Sequence, residues 1–390
     1  MRKVAKWSPL VQWLVRPPRF AASLIVGISI LAFGNVARSA PYVFVDLGAG
    51  RGGESFAYGI NNAGTVVGQA VWREGAFRAT RWDGGLATDL QLASNPEDPV
   101  TQGTGTAFGI NDSGRVIGTR RDVTGIPHAT RWDGDVQTSL GAFGPGTDSQ
   151  AYAVNQQGVG VAVVVAPAKS YAYVWKDNLQ IPLKSLGFDN TQAKAINNLG
   201  QIVGWSDPAF GPRATRAVSW NSEEPDEVNI IGDIGTRAYG NNDKGEVVGS
   251  LSTDGATDVP MLWDGSIALK LSTFGGGTAI DINNAGQSVG YSYVDEYQNR
   301  RAVMWSGAGQ IDLNTFLDRD TISIGWYLME ANAINDSGWI VGTARNSVSG
   351  ERHAFLLMSA VPDLDSSILL SIGLLVLAGV ARRRGNLRSQ

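Results

Sequence analysis

The chain has 390 residues, of which 49 are glycine, 12 are tryptophan, two are histidine and none is cysteine. These counts exclude disulfide scaffolds, thiolate metal sites, cysteine nucleophiles and any centre with three histidine ligands. The formal net charge of −4 is an average, because residues 40–360 hold 22 basic and 34 acidic residues and therefore carry −12. A body of that charge should repel nucleic acid and anionic membrane surfaces.

Residues 1–39 have the pattern of a signal peptide. They contain six basic residues and no acid, and the apolar run 21–33 follows the basic stretch. A membrane helix needs about 20 apolar residues, so this shorter run suits an export signal better than a span. The small residues Ala37 and Ser39 favour cleavage between Ser39 and Ala40. An uncleaved membrane anchor is the alternative.

One motif is repeated seven times in residues 40–360. The stretch Ala-Tyr-Gly-Ile-Asn-Asn-Ala-Gly at 57–64 recurs as Ala-Phe-Gly-Ile-Asn-Asp-Ser-Gly at 107–114, and weaker copies follow. Spacings between the copies run from 41 to 52 residues, which is the period of a repeat architecture. The repeated asparagines are Asn61, Asn111, Asn155, Asn197, Asn242, Asn283 and Asn335.

Each repeat predicts four short strands. The first strand ends at Ile-Asn, and a turn containing glycine leads into a second strand rich in valine. A fourth strand is predicted at runs such as 136–140 and 228–231, and turn residues separate the strands at the intervals of an all-β array. The third strand ends in tryptophan in six repeats, at Trp82, Trp132, Trp175, Trp220, Trp263 and Trp305, and Leu357 takes this place in the seventh.

Four strands in about 45 residues match one blade of a β-propeller. Residues 42–48 look like a fourth strand without its first three, whereas the last repeat has three strands and no fourth. We therefore predict an all-β, seven-bladed β-propeller of four-stranded blades, closed by the N-terminal strand, since closure removes exposed sheet edges. A linear β-solenoid is the alternative, although it would need capping units at both ends.

The repeated asparagines and tryptophans have structural explanations. An asparagine side chain can accept backbone N–H bonds within its own turn, and a tryptophan at one site in six blades is expected to pack between neighbouring blades. The Asn-Asp-x-Gly turns at 111–114 and 335–338 offer too few oxygen ligands for calcium. His128 and His353 occupy equivalent places in different repeats, so we do not expect them to form a catalytic pair.

The repeats resemble those of the HAF-repeat extracellular proteins of bacteria. That repeat is named for a His-Ala-Phe triplet, which is intact here at 353–355, while His128 and Ala129 keep its first two residues. The resemblance covers residues 42–358. It implies an extracellular repeat protein and carries no assigned reaction or ligand.

No catalytic, metal or cofactor motif is found in the sequence. The glycine-rich stretches 48–53 and 275–277 lie between predicted strands rather than before helices, so they are not phosphate loops. The paired acids at 223–227 are predicted to lie on the solvated surface. We predict that the chain is not an enzyme; the alternative is a carbohydrate-active propeller enzyme, a glycosidase or lyase with acids at one mouth of its channel. Repeat symmetry favours small or apolar residues at that mouth.

The C-terminal segment 361–390 predicts a sorting or membrane tail. Val361, Pro362 and Asp363 precede a short apolar run, and Arg382, Arg383 and Arg384 follow it, which agrees with the positive-inside rule. The architecture resembles the tails of bacterial PEP-CTERM proteins and is nearer to their VPDSG-like variant. It implies processing by an exosortase-type sorting enzyme, with signal peptidase acting at the other end, and contact with the membrane through the tail before processing. A plain membrane anchor is the alternative.

Loop variation indicates where a ligand would bind. The connections into the first strand of each repeat vary in length, and binding residues concentrate on variable loops over a rigid scaffold. We expect any ligand to meet the face that includes Asp98, Arg319, Asp320 and Trp326. The whole pattern predicts an exported protein of the periplasm, cell surface or matrix, with a binding or structural role toward polysaccharide. A passive surface coat is a second alternative.

Overall fold

The structure is a computed structural model that describes residues 42–359 apart from 49–52, 73–74, 91–103, 123, 142–146, 168, 177–178, 209–213, 253–256, 266, 296–298 and 308. The predicted cleavage site, Asp98 and the predicted tail lie outside the described residues. A 3-10 helix at Leu313–Phe316 and a short α-helix, α1, at Arg319–Ser323 interrupt an otherwise all-β chain. Among the residues described, no helix has the length and apolar character needed to cross a membrane.

Strands that are neighbours in the first half of the chain are also neighbours in the sheets. Short turns join them, which is the simplest antiparallel connection. The strands are β1 (Tyr42–Asp46), β2 (Ser55–Ile60), β3 (Val66–Val71), β4 (Phe77–Asp83), β5 (Leu86–Asp89), β6 (Gly105–Ile110), β7 (Arg115–Arg121), β8 (Pro127–Asp133), β9 (Val136–Ser139), β10 (Asp148–Val154), β11 (Gly160–Ala166), β12 (Lys169–Lys176) and β13 (Leu179–Pro182).

The second half of the chain repeats this arrangement. Its strands are β14 (Gly187–Ile196), β15 (Gln201–Pro208), β16 (Arg216–Asn221), β17 (Glu224–Ile234), β18 (Thr236–Asn241), β19 (Val247–Ser252), β20 (Asp258–Asp264), β21 (Ile267–Lys270), β22 (Gly277–Ile282), β23 (Gln287–Tyr293), β24 (Arg300–Ser306), β25 (Gly309–Asp312), β26 (Trp326–Ile334), β27 (Ile340–Asn346) and β28 (Arg352–Ser359).

The unit of construction is a four-stranded antiparallel sheet. Four sheets take their strands in sequence order, as β2-β3-β4-β5, β6-β7-β8-β9, β18-β19-β20-β21 and β22-β23-β24-β25. Strands β10 to β17 form one larger sheet, in which Ser170 of β12 pairs with Asn190 of β14 in parallel and β13 pairs with β12 alone. The strand order of every sheet is linear, so no sheet in the described part of the chain closes on itself.

The remaining sheet joins the two ends of the described chain. Its order is β1-β28-β27-β26, and β1 runs antiparallel to β28 from Tyr42 opposite Ser359 to Asp46 opposite Phe355. The sequence predicts this completion of the last three strands by the first, and the pairing confirms it.

The turn after each repeated asparagine is held by its own backbone. In the first repeat the Asn61 amide donates to the carbonyl of Thr65 at 3.1 Å, and the Gly64 amide donates to the carbonyl of Asn61 at 3.0 Å. Gly64 has a φ of 82°, a conformation that glycine adopts without a steric penalty. The glycine of the repeat is therefore required by the backbone of the turn.

The hydrophobic core lies between adjacent sheets rather than within one. Trp132 of β8 packs with Val67 and Ala79 of the preceding sheet, and Trp82 of β4 packs with Ala333 and Val341 of the sheet that contains β1. Both tryptophans are 1% exposed. Burying a large aromatic side chain contributes about 2–3 kcal/mol, so these contacts stabilise the docking of each sheet on its neighbour.

Two connections differ from the sequence expectation. The fourth strand of the fourth repeat extends over Glu224–Ile234 instead of 228–231, which leaves Gly235 alone before β18. The connection that leads into the first strand of the seventh repeat, predicted as one of the variable loops, contains α1. Asp318 caps that helix by accepting the Thr321 amide at 2.7 Å, a local contact that a search for strand patterns does not detect.

Candidate functional site

The repeated asparagines form a continuous cycle of hydrogen bonds. Each Nδ2 donates to the backbone carbonyl of the asparagine in the next repeat at 2.8–3.2 Å, and Asn335 donates back to Asn61 at 3.0 Å. Each Oδ1 accepts the amide four residues later at 2.9–3.0 Å. All seven side chains are buried, so these bonds satisfy groups that water does not reach.

A second cycle lies one residue further along. The backbone amide of each residue after the asparagine donates to a side-chain oxygen of its counterpart in the next repeat, at 2.8–3.0 Å. We call these seven residues the polar ring; they surround the mouth of a cavity of about 160 Å³. The polar ring consists of Asn62, Asp112, Gln156, Asn198, Asp243, Asn284 and Asp336.

The three acids of the polar ring are engaged within it. Asp243 accepts amide protons from Asn198 at 2.9 Å and from Asn284 at 3.2 Å, and Asp336 accepts one from Asn284 at 3.1 Å. Asp112 accepts one from Asn62 at 3.1 Å. Nowhere in the described residues do three acidic or histidine side chains group in a way that could hold a metal ion.

A β-bulge occurs in the first strand of every repeat. In the first repeat, Ala57 pairs with Gly68 and Gly59 pairs with Val67, which leaves Tyr58 outside the ladder. Such a bulge redirects a side chain away from the sheet. The seven bulged side chains line a second cavity, the central cavity, of about 290 Å³. They are Tyr58, Phe108, Tyr152, Lys194, Tyr239, Ile280 and Asn332.

One side of the central cavity is an aromatic wall. The rings of Tyr58 and Phe108 lie 5.5 Å apart between centroids, and those of Phe108 and Tyr152 lie 5.3 Å apart. Burial raises the pKa of Tyr58 and of Tyr152 to about 12, so both hydroxyls remain neutral at physiological pH. Repeat symmetry led us to expect small or apolar residues at a mouth of the channel; the polar ring instead consists of amide and acid side chains, and the bulges present several large side chains to the central cavity.

Lys194 continues this wall in the fourth repeat. Its Nζ lies 3.5 Å from the ring centroid of Tyr152 and 5.1 Å from that of Trp205, and Trp205 in turn contacts Tyr239 edge-on at 5.5 Å. Burial lowers the pKa of Lys194 to about 7 by removing the ammonium group from water. Among the described residues lining the central cavity, Lys194 is the only basic one.

Asp281 is the acid of the central cavity. Its Oδ2 accepts the Ile334 amide and its Oδ1 accepts its neighbour Ile282's amide, both at 2.9 Å. Burial raises the pKa of Asp281 to about 6, against the lowering effect of these two bonds. Asp281 therefore links β22 to β26 by its side chain.

The structure places the predicted tryptophans away from both cavities. Five of the six are at most 3% exposed and Trp175 is 6% exposed. Trp220 donates from Nε1 to the carbonyl of Lys184 at 2.8 Å, and Trp305 donates to that of Ser272 at 2.6 Å. These indoles are enclosed between sheets, and none lines the central cavity or the polar ring.

The two histidines are separate. His128 lies 2.8 Å from the carboxylate of Asp122, and His353 lies 3.0 Å from that of Asp46 on β1. The His353 pair joins the two strands that bring together the ends of the described chain. The backbone amide of the next residue, Ala354, donates to the Ser55 hydroxyl of β2 at 2.8 Å.

The loop residues predicted to meet a ligand are dispersed. Arg319 and Asp320 lie in α1, whose residues are not buried, whereas the Trp326 ring packs on the ring of His353 at 4.7 Å. None of the three lines the central cavity. Sequence reasoning missed the cavity side chains; the signal was the variable residue directly after the constant Ala, three positions before the constant Asn of each repeat.

No known family model and no curated protein matches the chain. Among solved structures, it is similar to the β-propeller domain of the Trilobed protease from Pyrococcus furiosus, with a TM-score of 0.50 and 10% identity, covering 79% of this chain and 94% of that one. At this identity the similarity shows the fold alone: the chain has a β-propeller fold.

Two further structures are more distant. TolB from Acinetobacter baumannii has a TM-score of 0.42 and 11% identity, and the match covers 61% of this chain and only 56% of TolB. A lectin from Aleuria aurantia, solved with α-methyl-L-fucoside, has a TM-score of 0.39 and 9% identity, covering 70% of this chain and 95% of the lectin. Neither similarity bears on function.

Proposed function

We propose that the four-stranded units form a seven-bladed β-propeller closed by β1. The proposal is supported by the two cycles of hydrogen bonds, which pass once through each repeat and return from the seventh to the first. The pairing of β1 with β28 supports it as well, since a linear solenoid would hold its first and last units apart. Closure by a single terminal strand would also account for a stable ring without cysteine.

We propose further that this propeller is an exported binding protein of the HAF-repeat kind, spanning residues 40–360. Segment 1–39 would direct export and be removed by signal peptidase after Ser39, and segment 361–390 would be read by an exosortase-type enzyme. The basic and apolar patterns of the two segments support these roles. The mass of the mature protein tests them: a species beginning at Ala40 and lacking the tail is expected, and a full-length mass would reject both.

The proposed activity is binding of polysaccharide at the cell surface or in its matrix. The observation that carries it is the central cavity, where an aromatic wall and a few polar groups converge, as they do in sites for small organic ligands. The enzyme alternative is not favoured, because Asp112, Asp243 and Asp336 are hydrogen-bonded in the polar ring and Asp281 is bonded to two backbone amides.

Cosedimentation of the full chain with insoluble polysaccharides tests the binding role. We expect retention on at least one of a set of neutral and acidic polymers, including cellulose and calcium pectate. Retention on none of them would favour a passive coat. The double variant Arg319→Ala/Asp320→Ala tests the loop face, with Lys270→Ala on the exposed strand β21 as control. Loss of retention only in the double variant would place polymer contacts on that face.

A further inference from the structure

The most informative group outside the scaffold is the amine of Lys194. It projects from a bulge, a position that contributes nothing to the strand ladder. No hydrogen bond or ion pair holds it among the described residues, and its ring contacts are the faces of Tyr152 and Trp205. A buried cation normally has an anionic or hydrogen-bonding partner, and this one has aromatic rings alone. A lysine held in this way is free to receive an anion from a ligand.

The surroundings of Lys194 define the shape of that ligand. The rings of Tyr58, Phe108 and Tyr152 lead directly to the amine and present an apolar surface. The cavity of about 290 Å³ is near the lower limit of about 300 Å³ for sites that hold small organic ligands. It therefore suits one ring with its substituents, not a folded chain.

Two other polar side chains of the cavity, Asp281 and Asn332, already have hydrogen-bond partners in the protein. Asp281 is bound to the amides of Ile334 and Ile282, and Asn332 donates to the carbonyl of Ala57 at 2.9 Å. The acids of the polar ring line the neighbouring cavity and are hydrogen-bonded there to amide side chains. At about 0.15 M salt, charges more than about 8 Å away are largely screened, so the overall acidity of the body does not prevent local binding.

We propose that the central cavity binds a uronic acid unit, with the C–H face of the sugar ring on the aromatic wall and its carboxylate on Lys194 Nζ. This inference rests on the proposed polysaccharide-binding function and specifies its ligand class. A carboxylate on an ammonium group forms a charge-assisted hydrogen bond, which is stronger than a neutral one. The site distinguishes an acidic sugar from its neutral analogue by that single bond.

Titration calorimetry of the full chain with three matched probes tests the proposal. Methyl β-D-glucuronide carries both the ring and the charge, methyl β-D-glucoside the ring alone, and acetate the charge alone. We expect the glucuronide to bind about tenfold or more tightly than either of the others, since losing a hydrogen bond to a charged group costs about that factor or more. Equal affinities for glucuronide and glucoside would overturn the proposal.

Two variants locate the site. Lys194→Met should weaken glucuronide binding about tenfold or more and leave the weak glucoside affinity unchanged, while Lys270→Met on the exposed strand β21 should bind as the wild type does. Phe108→Ala should weaken both sugars. Thermal unfolding of each variant verifies that it is folded. Unchanged glucuronide affinity in Lys194→Met would reject the site.

The outcomes separate this inference from the proposed function. If the protein cosediments with a polysaccharide but glucuronide does not bind, the binding role stands and the uronate site is rejected. If glucuronide binds in a Lys194-dependent manner and no polymer is retained, the site stands and the polysaccharide role is rejected.

Discussion

The side chain of Asn335 donates a hydrogen bond to the backbone carbonyl of Asn61 at 3.0 Å, across 274 positions of sequence. The same side chain accepts the amide of Trp339 at 2.9 Å. One buried amide group thus fixes the turn of the last repeat and its contact with the first. Each of the six other repeated asparagines likewise accepts an amide of its own turn and donates to the asparagine carbonyl of the next repeat.

Replacing Asn335 by alanine should destabilise the protein. The change leaves the Trp339 amide and the Asn61 carbonyl without these partners, and an unsatisfied buried group costs about 1–3 kcal/mol. Urea unfolding of Asn335→Ala measures the loss. Asn229→Ala, at an exposed position of β17, is the control and should change the free energy of unfolding by less than about 0.5 kcal/mol. Equal effects of the two changes would contradict the assigned role.

The contact between His353 and Asp46 should make stability depend on pH. Burial lowers the pKa of His353, but the hydrogen bond and the charge of Asp46 outweigh it, so that the pKa is raised overall. A raised histidine pKa stabilises the folded state fully below the unfolded value of about 6.5, and this contribution is lost as pH rises through the folded value. The free energy of unfolding of the wild type should therefore exceed that of His353→Gln by more at pH 5.5 than at pH 8.5.

Denaturant unfolding at the two pH values measures that gain. Asp46→Asn removes the charge from β1 while keeping a similar side-chain volume. In that background, His353→Gln should show little difference between the two pH values. A difference of the same size as in the wild-type background would assign the pH dependence to another group.

Asp281 should make the protein less stable as pH rises, whereas a salt-bridged acid makes a protein more stable as pH rises. Its pKa is raised by burial to about 6, whereas an unfolded aspartate titrates near 3.9. Between these values the folded state retains a proton that the unfolded state has lost, so stability falls as pH rises from about 4 to 6. The free energy of unfolding of the wild type, minus that of Asp281→Asn, should fall by about 2–3 kcal/mol from pH 4 to pH 7. A difference that does not change with pH would contradict this assignment.

Lys194 should be the most readily acylated lysine at neutral pH. With its pKa lowered to about 7 by burial, about half of its amines are neutral at pH 7, compared with well under 1% for a lysine near 10.4. Brief treatment with acetic anhydride, followed by peptide mass spectrometry, should give more than tenfold greater modification at Lys194 than at exposed Lys270. Equal or lower modification at Lys194 would contradict the lowered pKa as the factor that controls its reactivity.

The groups around Lys194 set the direction of its pH response. Tyr152 and Tyr239 have raised pKa values, caused first by burial, and remain neutral at pH 7, while the Arg237 guanidinium lies 5.9 Å from the ring centroid of Trp205. Asp281 gains a proton below about pH 6. Lowering pH therefore increases positive charge at Lys194 and removes negative charge at Asp281. Glucuronide affinity should accordingly rise as pH falls from 8 to 6, and an affinity that falls over this range would argue against an anion on Lys194.

The fold was predictable from the sequence because the repeat determines it locally. The Asn-x-x-Gly turn, the valine strand and the tryptophan strand each follow from turn chemistry or burial, and the unpaired strand at 42–48 indicated how the two ends meet. The polar ring was not predicted, although the sequence holds its signal: the residue after each repeated asparagine, whether Asn62, Asp112 or Gln156, has a side-chain oxygen.

The central cavity was not predictable in the same way. A bulge adds one residue to a strand, and strict alternation of buried and exposed positions assigns that residue to the wrong side. The pattern therefore gave no indication that Lys194 of β14 would reach the central cavity, where its Nζ lies 3.5 Å from the ring centroid of Tyr152. Loop-length variation drew attention to Arg319 and Asp320 instead, which the structure places on α1 and not at the cavity.

Because of the bulges, the residues that maintain the fold differ from the bulged residues that line the central cavity. Each repeat contributes one bulged side chain to the central cavity, at a position outside the strand ladder. Tyrosine, phenylalanine, lysine, isoleucine and asparagine all occupy this place in the one chain. Each of these seven positions can be substituted without altering the strand pairing or the turns. Single substitutions can therefore give related rings new ligand preferences while the fold is retained.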